Sequence, residues 1–191
     1  MWENISQRKD EEIANLVQSG KIEFFDILIE RYEAKIKRYS RKFLSDSESI
    51  NDVLQEIFIK VYTNIQSFDS KRKFSSWIYR IAHNELVNVL RKRRPILPLF
   101  DLDVFLPHRL HDDTFRENID RQSIKEIIDK CLDRLEVKYK EPLVLYYFEE
   151  LSYQEIADIL QIPVSTVGIR IKRAKEKVKT IYRQITSNDG K

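Results

Sequence analysis

Residues Leu151 to Lys175 read LSYQEIADILQIPVSTVGIRIKRAK, and the organisation of the whole chain can be built outward from them. Ser152-Tyr153-Gln154-Glu155 has capping-box spacing, in which a hydroxyl and a carboxylate each satisfy a free backbone N–H at a helix start. The helix it opens carries Ile156, Ala157, Ile159 and Leu160. Gln161-Ile162-Pro163 stops it, because the residue before a proline is pushed out of helical geometry. Ser165 is expected to cap a second, long helix whose inner face holds Val167, Ile171, Ala174 and Val178 at helical spacing. The outward face is expected to carry Ser165, Thr166, Arg170, Lys172, Arg173 and Lys175. A short helix, a tight turn and a long basic helix form a helix-turn-helix pattern. In such motifs the second helix enters the DNA major groove, where Arg and Lys meet guanine edges and phosphates. A chance helical hairpin is the competing reading; two capping signals and a one-sided basic face favour the motif.

Upstream, Ile124, Ile127, Ile128, Cys131, Leu132 and Leu135 mark the apolar start of a second domain. Pro142 then suits the first turn of a short helix, LVLYYF. Cys131 is the single cysteine, so it forms no internal disulfide; this fits a reducing cytoplasm and a small core side chain.

Three of the five prolines, Pro95, Pro98 and Pro107, fall in one short span without helical periodicity. A connector of roughly Pro95 to Asn118 therefore separates two helical domains. Before it, three long helices follow a short leading one. The first has Phe25, Leu28, Ile29, Tyr32, Ile36, Tyr39 and Phe43 on one side. The second begins near Ser45-Asp46-Ser47-Glu48, where Ser45 and Glu48 have capping-box spacing, and runs through Ile50, Val53, Leu54, Ile57, Phe58, Val61, Tyr62 and Ile65. After a polar, basic loop (Gln66 to Lys73), the third carries Trp77, Ile78, Ile81, Ala82, Leu86, Val89 and Leu90. It ends in Arg91-Lys92-Arg93-Arg94, a run that also suits the helix dipole.

Composition supports this division. The 191 residues are 42% hydrophobic and 34% charged, enough for real cores in a globular chain. The glycines are Gly20, Gly168 and Gly190, so glycine-dependent hairpin turns and phosphate loops are missing across the long middle of the sequence. That argues against a β-rich fold and against Rossmann or P-loop enzymes. The net charge is +3, but it is unevenly spread. Lys71 to Arg94 holds eight basic residues against Glu85 alone, and Arg170 to Arg183 holds seven against Glu176. An acidic stretch separates them. Two concentrated basic blocks suggest a polyanion bound at two places. The amino terminus lacks an apolar signal core, and no apolar run reaches the roughly 20 residues of a membrane helix, so no membrane insertion and a cytoplasmic location are expected. The fold class is all-α: two small helical domains, 1–94 and 121–191, joined by a proline-containing acidic linker, 95–120, the second with the helix-turn-helix.

Taken in order, these pieces resemble a bacterial sigma factor of the two-domain extracytoplasmic-function class. DVLQEIFIKVYTNIQSF (Asp52 to Phe68) is similar to the family's polymerase-binding helix, with Asp52, Gln55, Glu56 and Phe58 matching D-x-x-Q-E-x-F. KFSSWIYRIAHNELVNVLRKRR (Lys73 to Arg94) is similar to the element that reads and opens the −10 region, which implies DNA contacts from Lys73, Trp77, Arg80, Asn84, Asn88 and Arg91. The Leu151 to Lys175 stretch resembles the −35-binding motif, implying DNA contacts from Ser165, Thr166, Arg170, Lys172, Arg173 and Lys175. The resemblance implies RNA polymerase core enzyme and promoter DNA as partners, an anti-sigma factor as many relatives have, no catalysis and no cofactor.

The chemistry of the residues agrees. A strand-opening surface needs cations for phosphates together with aromatic and amide groups for unstacked bases. Asn84 and Asn88 lie one helical turn apart; many family members have Asp where Asn88 stands. Trp77 reads first as a core residue, with base stacking as the second reading. Members often carry T-V-x-S-R with a basic x, whereas Gly168 and Ile169 fill the basic and serine positions here. His108-x-x-His111 has metal-like spacing but no second ligand pair, so no metal is expected. A free-standing helix-turn-helix regulator is the alternative function, but it leaves the Gln-Glu helix and the −10-like segment unexplained. A helical nuclease would need a carboxylate cluster or a nucleophile with a base, and the sequence supplies neither.

Overall fold

Apolar residues at three- and four-residue spacing set the helices of the computed structural model, which describes residues 7–93 and 119–188. Among the described residues there are only helices and turns. The chain divides into two compact units, 1–95 with 154–162 and 96–153 with 163–191.

In the first unit α1 (Asp10–Gln18) places Asp10, Glu11 and Glu12 in its first turn, where carboxylates offset the dipole, and buries Ile13, Ala14 and Val17. It ends at Gly20, whose φ of 92° lets Lys21 N–H reach the Leu16 carbonyl at 3.1 Å and Gly20 N–H reach that of Val17 at 3.0 Å. That pair of bonds is a Schellman closure, and it needs a residue at ease with positive φ. A 3-10 turn leads into α2 (Phe25–Ser40), which buries Phe25, Leu28, Tyr32, Ile36 and Tyr39. Phe43 is buried too, but in the turn that follows rather than in the helix.

Helix α3 (Ser47–Thr63) buries Ile50, Val53, Leu54, Ile57 and Val61. Its cap is Asp46, whose carboxylate accepts from Ser49 N–H at 2.7 Å, and not Ser45 as the box spacing predicts. Both residues are good caps, and a one-residue shift decides which oxygen faces the free N–H. Helix α4 (Phe74–Arg93) buries Phe74, Ile78, Tyr79, Ala82 and Leu86. A side chain from elsewhere caps it: Phe74 N–H donates to the Glu11 carboxylate at 3.1 Å.

In the second unit α5 (Ile119–Asp133) buries Cys131 and Leu132, whereas Ile124 and Ile128 of the same apolar stretch are exposed. Helix α6 (Val137–Tyr147) starts earlier than predicted, so Pro142 lies inside it and not in its first turn. Lys140, only 4% exposed, is held by Asp133 at 3.0 Å. Along the chain α7 (Tyr153–Leu160) follows, with Ser152 just before its first residue; from Gln154 on it belongs to the first unit. Gln161 then takes a φ of 54°, and Ile162 N–H returns to the Ala157 carbonyl at 3.2 Å, which closes α7. Helix α8 (Val164–Asn188) opens at Val164, which puts Ser165 inside the first turn and not at the cap. Val167, Ile171, Ala174 and Ile185 are its buried side chains.

Candidate nucleic-acid interface

The expected polymerase-binding residues occupy one side of α3. Asp52, Gln55 and Glu56 are exposed, while Phe58 is half-buried. The same helix exposes two apolar side chains that sequence reasoning assigned elsewhere or omitted, Ile59 (48%) and Tyr62 (41%). Their signal was the i+4 step from Gln55 to Ile59, an apolar residue out of phase with the buried stripe. Exposed amide, carboxylate and apolar groups on one rigid helix make a surface suited to a protein partner.

The loop before α4 is fixed from α1. Gln18 donates from its amide to the carbonyls of Ile65 at 2.7 Å and Phe68 at 2.8 Å, and Gln66 returns a bond to the Gln18 carbonyl at 3.1 Å. Phe68 and Phe74 then receive Trp77 at ring distances of 5.3 and 5.6 Å. Trp77 is half-buried, so its indole is both packed and partly open. No sequence motif marks Gln18; a polar residue 47 positions from its partner gives no local signal.

Lys73, Trp77, Arg80, Asn84, Asn88 and Arg91 recur every three or four residues, so they form one stripe along α4. Lys73, Arg80, Asn84 and Arg91 are exposed and Asn88 is half-buried. Asn88 is already engaged: its Nδ2 donates to Glu85 Oε1 at 3.4 Å, and its Oδ1 accepts from Arg91 at 3.4 Å. Glu85, treated in the sequence only as the lone acid of a basic block, also accepts from Lys60 of α3 at 2.7 Å. That bond raises the Lys60 pKa above its ordinary value. Lys60 in turn lies 3.5 Å from Glu56 one turn earlier. A chain of charges thus runs from the exposed face of α3 to the stripe on α4.

On α8 the outward row differs from expectation. Ser165, Lys172, Arg173 and Lys175 are exposed, whereas Thr166 and Arg170 are half-buried on the flank beside Val167 and Ile171. Lys177, part of the second basic block, is used internally. Its ammonium donates to Glu136 at 2.8 Å and lies 5.1 Å from the Tyr139 ring centre. With Lys138 also at 3.2 Å, these cations hold the Glu136 carboxyl below its ordinary range, the Lys177 bond contributing most.

Both expected DNA surfaces thus present exposed cations along one helix: Lys73, Arg80 and Arg91 on α4, and Lys172, Arg173 and Lys175 on α8. Positive charge supplies affinity for phosphates, and amides or apolar groups among it supply discrimination. The expected connector and the pair His108 and His111 lie outside the described residues. Among the described residues no cluster of three His, Cys, Asp or Glu side chains could hold a metal, and no helix is long and apolar enough to cross a membrane.

Comparison with known proteins agrees along the chain. The Sigma-70 region 2 family matches residues 28–96 and the Sigma-70 region 4 family matches residues 125–178. The ECF RNA polymerase sigma factor SigW of Bacillus subtilis is 34% identical over 177 residues, covering 88% of this chain and 94% of that protein. The RNA polymerase sigma-H factor of Pseudomonas aeruginosa is 35% identical over 181 residues, covering 91% and 94%. Among solved structures, CnrH in complex with the cytosolic domain of CnrY superposes with a TM-score of 0.70 at 23% identity, covering 92% of this chain and 97% of that one. The sigma factor RpoE of Bartonella quintana, solved with the anti-sigma factor NepR, gives 0.67 at 20%, covering 83% and 96%.

Proposed function

The chain belongs to the ECF RNA polymerase sigma factors, and from that premise we propose how its residues divide the work. It binds RNA polymerase and directs promoter-specific initiation, as a non-enzymatic factor that makes and breaks no covalent bond. In our reading residues 1–94 hold core polymerase and open the −10 region, residues 121–191 dock on the −35 element, and 95–120 link them. Asp52, Gln55, Glu56 and Phe58 meet the polymerase, with Ile59 and Tyr62 adding apolar contact. Lys73, Arg80 and Arg91 take backbone phosphates of the displaced strand, Asn84 reads a base, and the open part of Trp77 offers a stacking surface. Asn88 acts by orienting Arg91. Thr166 and Arg170 flank a −35 row made of Ser165, Lys172, Arg173 and Lys175. The factor works in the cytoplasm, where promoters and polymerase are, and an anti-sigma factor is its proposed regulator, as NepR accompanies RpoE.

The observation that carries this reading is the α4 stripe, in which exposed cations bracket an exposed asparagine on the helix joined by Lys60–Glu85 to the docking face. A free-standing regulator needs no such stripe. The test is reconstitution with core polymerase on a promoter library: the chain should co-purify with core and start transcripts at a defined subset. Core that stays unbound and silent removes the proposal.

A further inference from the structure

The outward row of α8 has an apolar residue at its centre. Val167, Ile171 and Ala174 are buried, so the opposite side of the helix passes through Ser165, Ile169, Lys172 and Arg173. Ile169 stands four residues after Ser165 and four before Arg173, and is 52% exposed. Its neighbours toward the helix start continue the same chemistry. At Gly168 a Cβ would sit 3.5 Å from Tyr153 Cε2, an ordinary van der Waals distance, so the tyrosine ring lies against this flank of the helix. Tyr153 is itself 37% exposed, and Val164, one turn before Gly168, is 39% exposed. The start of α8, with the Tyr153 ring against its flank, therefore offers methyl groups and a ring ahead of its first cation, Arg170.

In the major groove a branched alkyl group has one complementary feature, the thymine 5-methyl; guanine, cytosine and adenine carry no methyl there for it to pack against. We propose that Ile169 is a specificity-determining residue that reads thymine methyl groups in the −35 element, with Val164 and Tyr153 completing the apolar patch. This rests on the reading of α8 as the −35 helix.

The experiment uses the full chain assembled with core polymerase. Promoters are first selected from a library randomised in the −35 element. Each selected thymine is then replaced by deoxyuridine, which removes the methyl and leaves the pairing edge intact. At one or two positions this should weaken occupancy about fourfold, the equivalent of one buried methylene. The loss should persist in Ile169→Val and vanish in Ile169→Ala, both of which leave the buried face of α8 untouched. Selection without thymines, indifference to deoxyuridine at every position, or an undiminished loss in Ile169→Ala overturns the assignment to Ile169. A holoenzyme that initiates without any −35 preference overturns the −35 reading itself, a distinct result, because no element then emerges in which thymines could be replaced.

Discussion

Glu85 of α4 accepts a 2.7 Å hydrogen bond from Lys60 of α3, and through the same carboxylate oxygen receives Asn88 at 3.4 Å. The carboxylate is nearly buried, with 11% of its side chain exposed, while Lys60 is 38% exposed. Removing the acid strands the amide of Asn88 and leaves a cation that can turn back to water. Glu85→Ala should therefore destabilise the first unit by about 1–3 kcal/mol, toward the lower end because Lys60 rehydrates. The swap Lys60→Glu with Glu85→Lys should recover part of the loss, giving a positive coupling in urea titrations followed by circular dichroism. Additive effects of the two single changes would show that the pair contributes no coupling.

Glu56 is expected to separate docking from folding. It is half exposed, and its i,i+4 contact with Lys60 is worth only a few tenths of a kcal/mol. Glu56→Lys should leave the urea midpoint nearly unchanged yet weaken binding to core polymerase about tenfold or more, read by anisotropy of labelled protein titrated with core. Unchanged affinity would remove Glu56 from the docking face.

Asn84 and Asn88 should behave differently although they are one turn apart. Asn84 is exposed and shows no hydrogen bond among the described residues, so its amide is free for a base edge. Asn84→Ala should slow open-complex formation by about five- to a hundredfold, equivalent to 1–3 kcal/mol, without changing stability. Asn88→Ala should act more weakly and lose its effect when Arg91 is already Ala, since its carbonyl serves Arg91. A fluorescent base analogue in the −10 region reports both. Equal, independent effects would show that Asn88 reads DNA directly.

How much of this was legible in the sequence follows from the range of each interaction. Helix phases such as Leu28–Tyr32–Ile36–Tyr39 were readable because burial repeats with the helix itself. The turn before α8 was readable because Pro163 acts on its immediate neighbour. The failures were shifts of one residue or couplings across many. Asp46 displaced Ser45 because adjacent caps compete, and Pro142 fell inside α6 because nothing in LVLYYF shows that the helix begins at Val137. Gln18, Glu11 and the Lys60–Glu85 pair act between residues 25 to 63 positions apart, where a single sequence carries no periodic signal. Ile124 and Ile128 are apolar yet face outward, and residue type alone does not show which side of α5 is covered.

Glu136 makes the second unit sensitive to acid. Its carboxyl is held below the ordinary range by Lys177 first and Lys138 second, so protonating it costs the folded state an ion pair that the unfolded chain lacks. The stabilisation is complete above the unfolded value of about 4.3 and disappears as pH falls through the lower folded value. Lys177 is 45% exposed, which limits the amount to under about 1 kcal/mol. Wild type should lose more stability than Lys177→Met between about pH 5 and 3 and match its slope near neutrality. Parallel curves across that window would show that the bond at 2.8 Å carries no linkage.

Arg173 and Lys175 should leave different signatures on DNA, although both are exposed cations two residues apart on α8. Arg173 lies in the outward row one turn after Ile169, and its planar fork can bind both guanine acceptors. Lys175 lies toward the side of the helix, where a flexible point charge would meet the phosphate backbone. Arg173→Ala should cost about 1–3 kcal/mol on the preferred −35 sequence and little on a scrambled one, relaxing preference at a single position. Lys175→Ala should weaken both sequences alike and reduce the salt slope of log K by about one unit. Both are measured with holoenzyme on promoter duplexes at several salt concentrations. Equal losses on preferred and scrambled DNA for Arg173→Ala make it a positioning residue. Full affinity in both variants would mean that the row through Ser165, Ile169 and Arg173 is not the side that enters the groove.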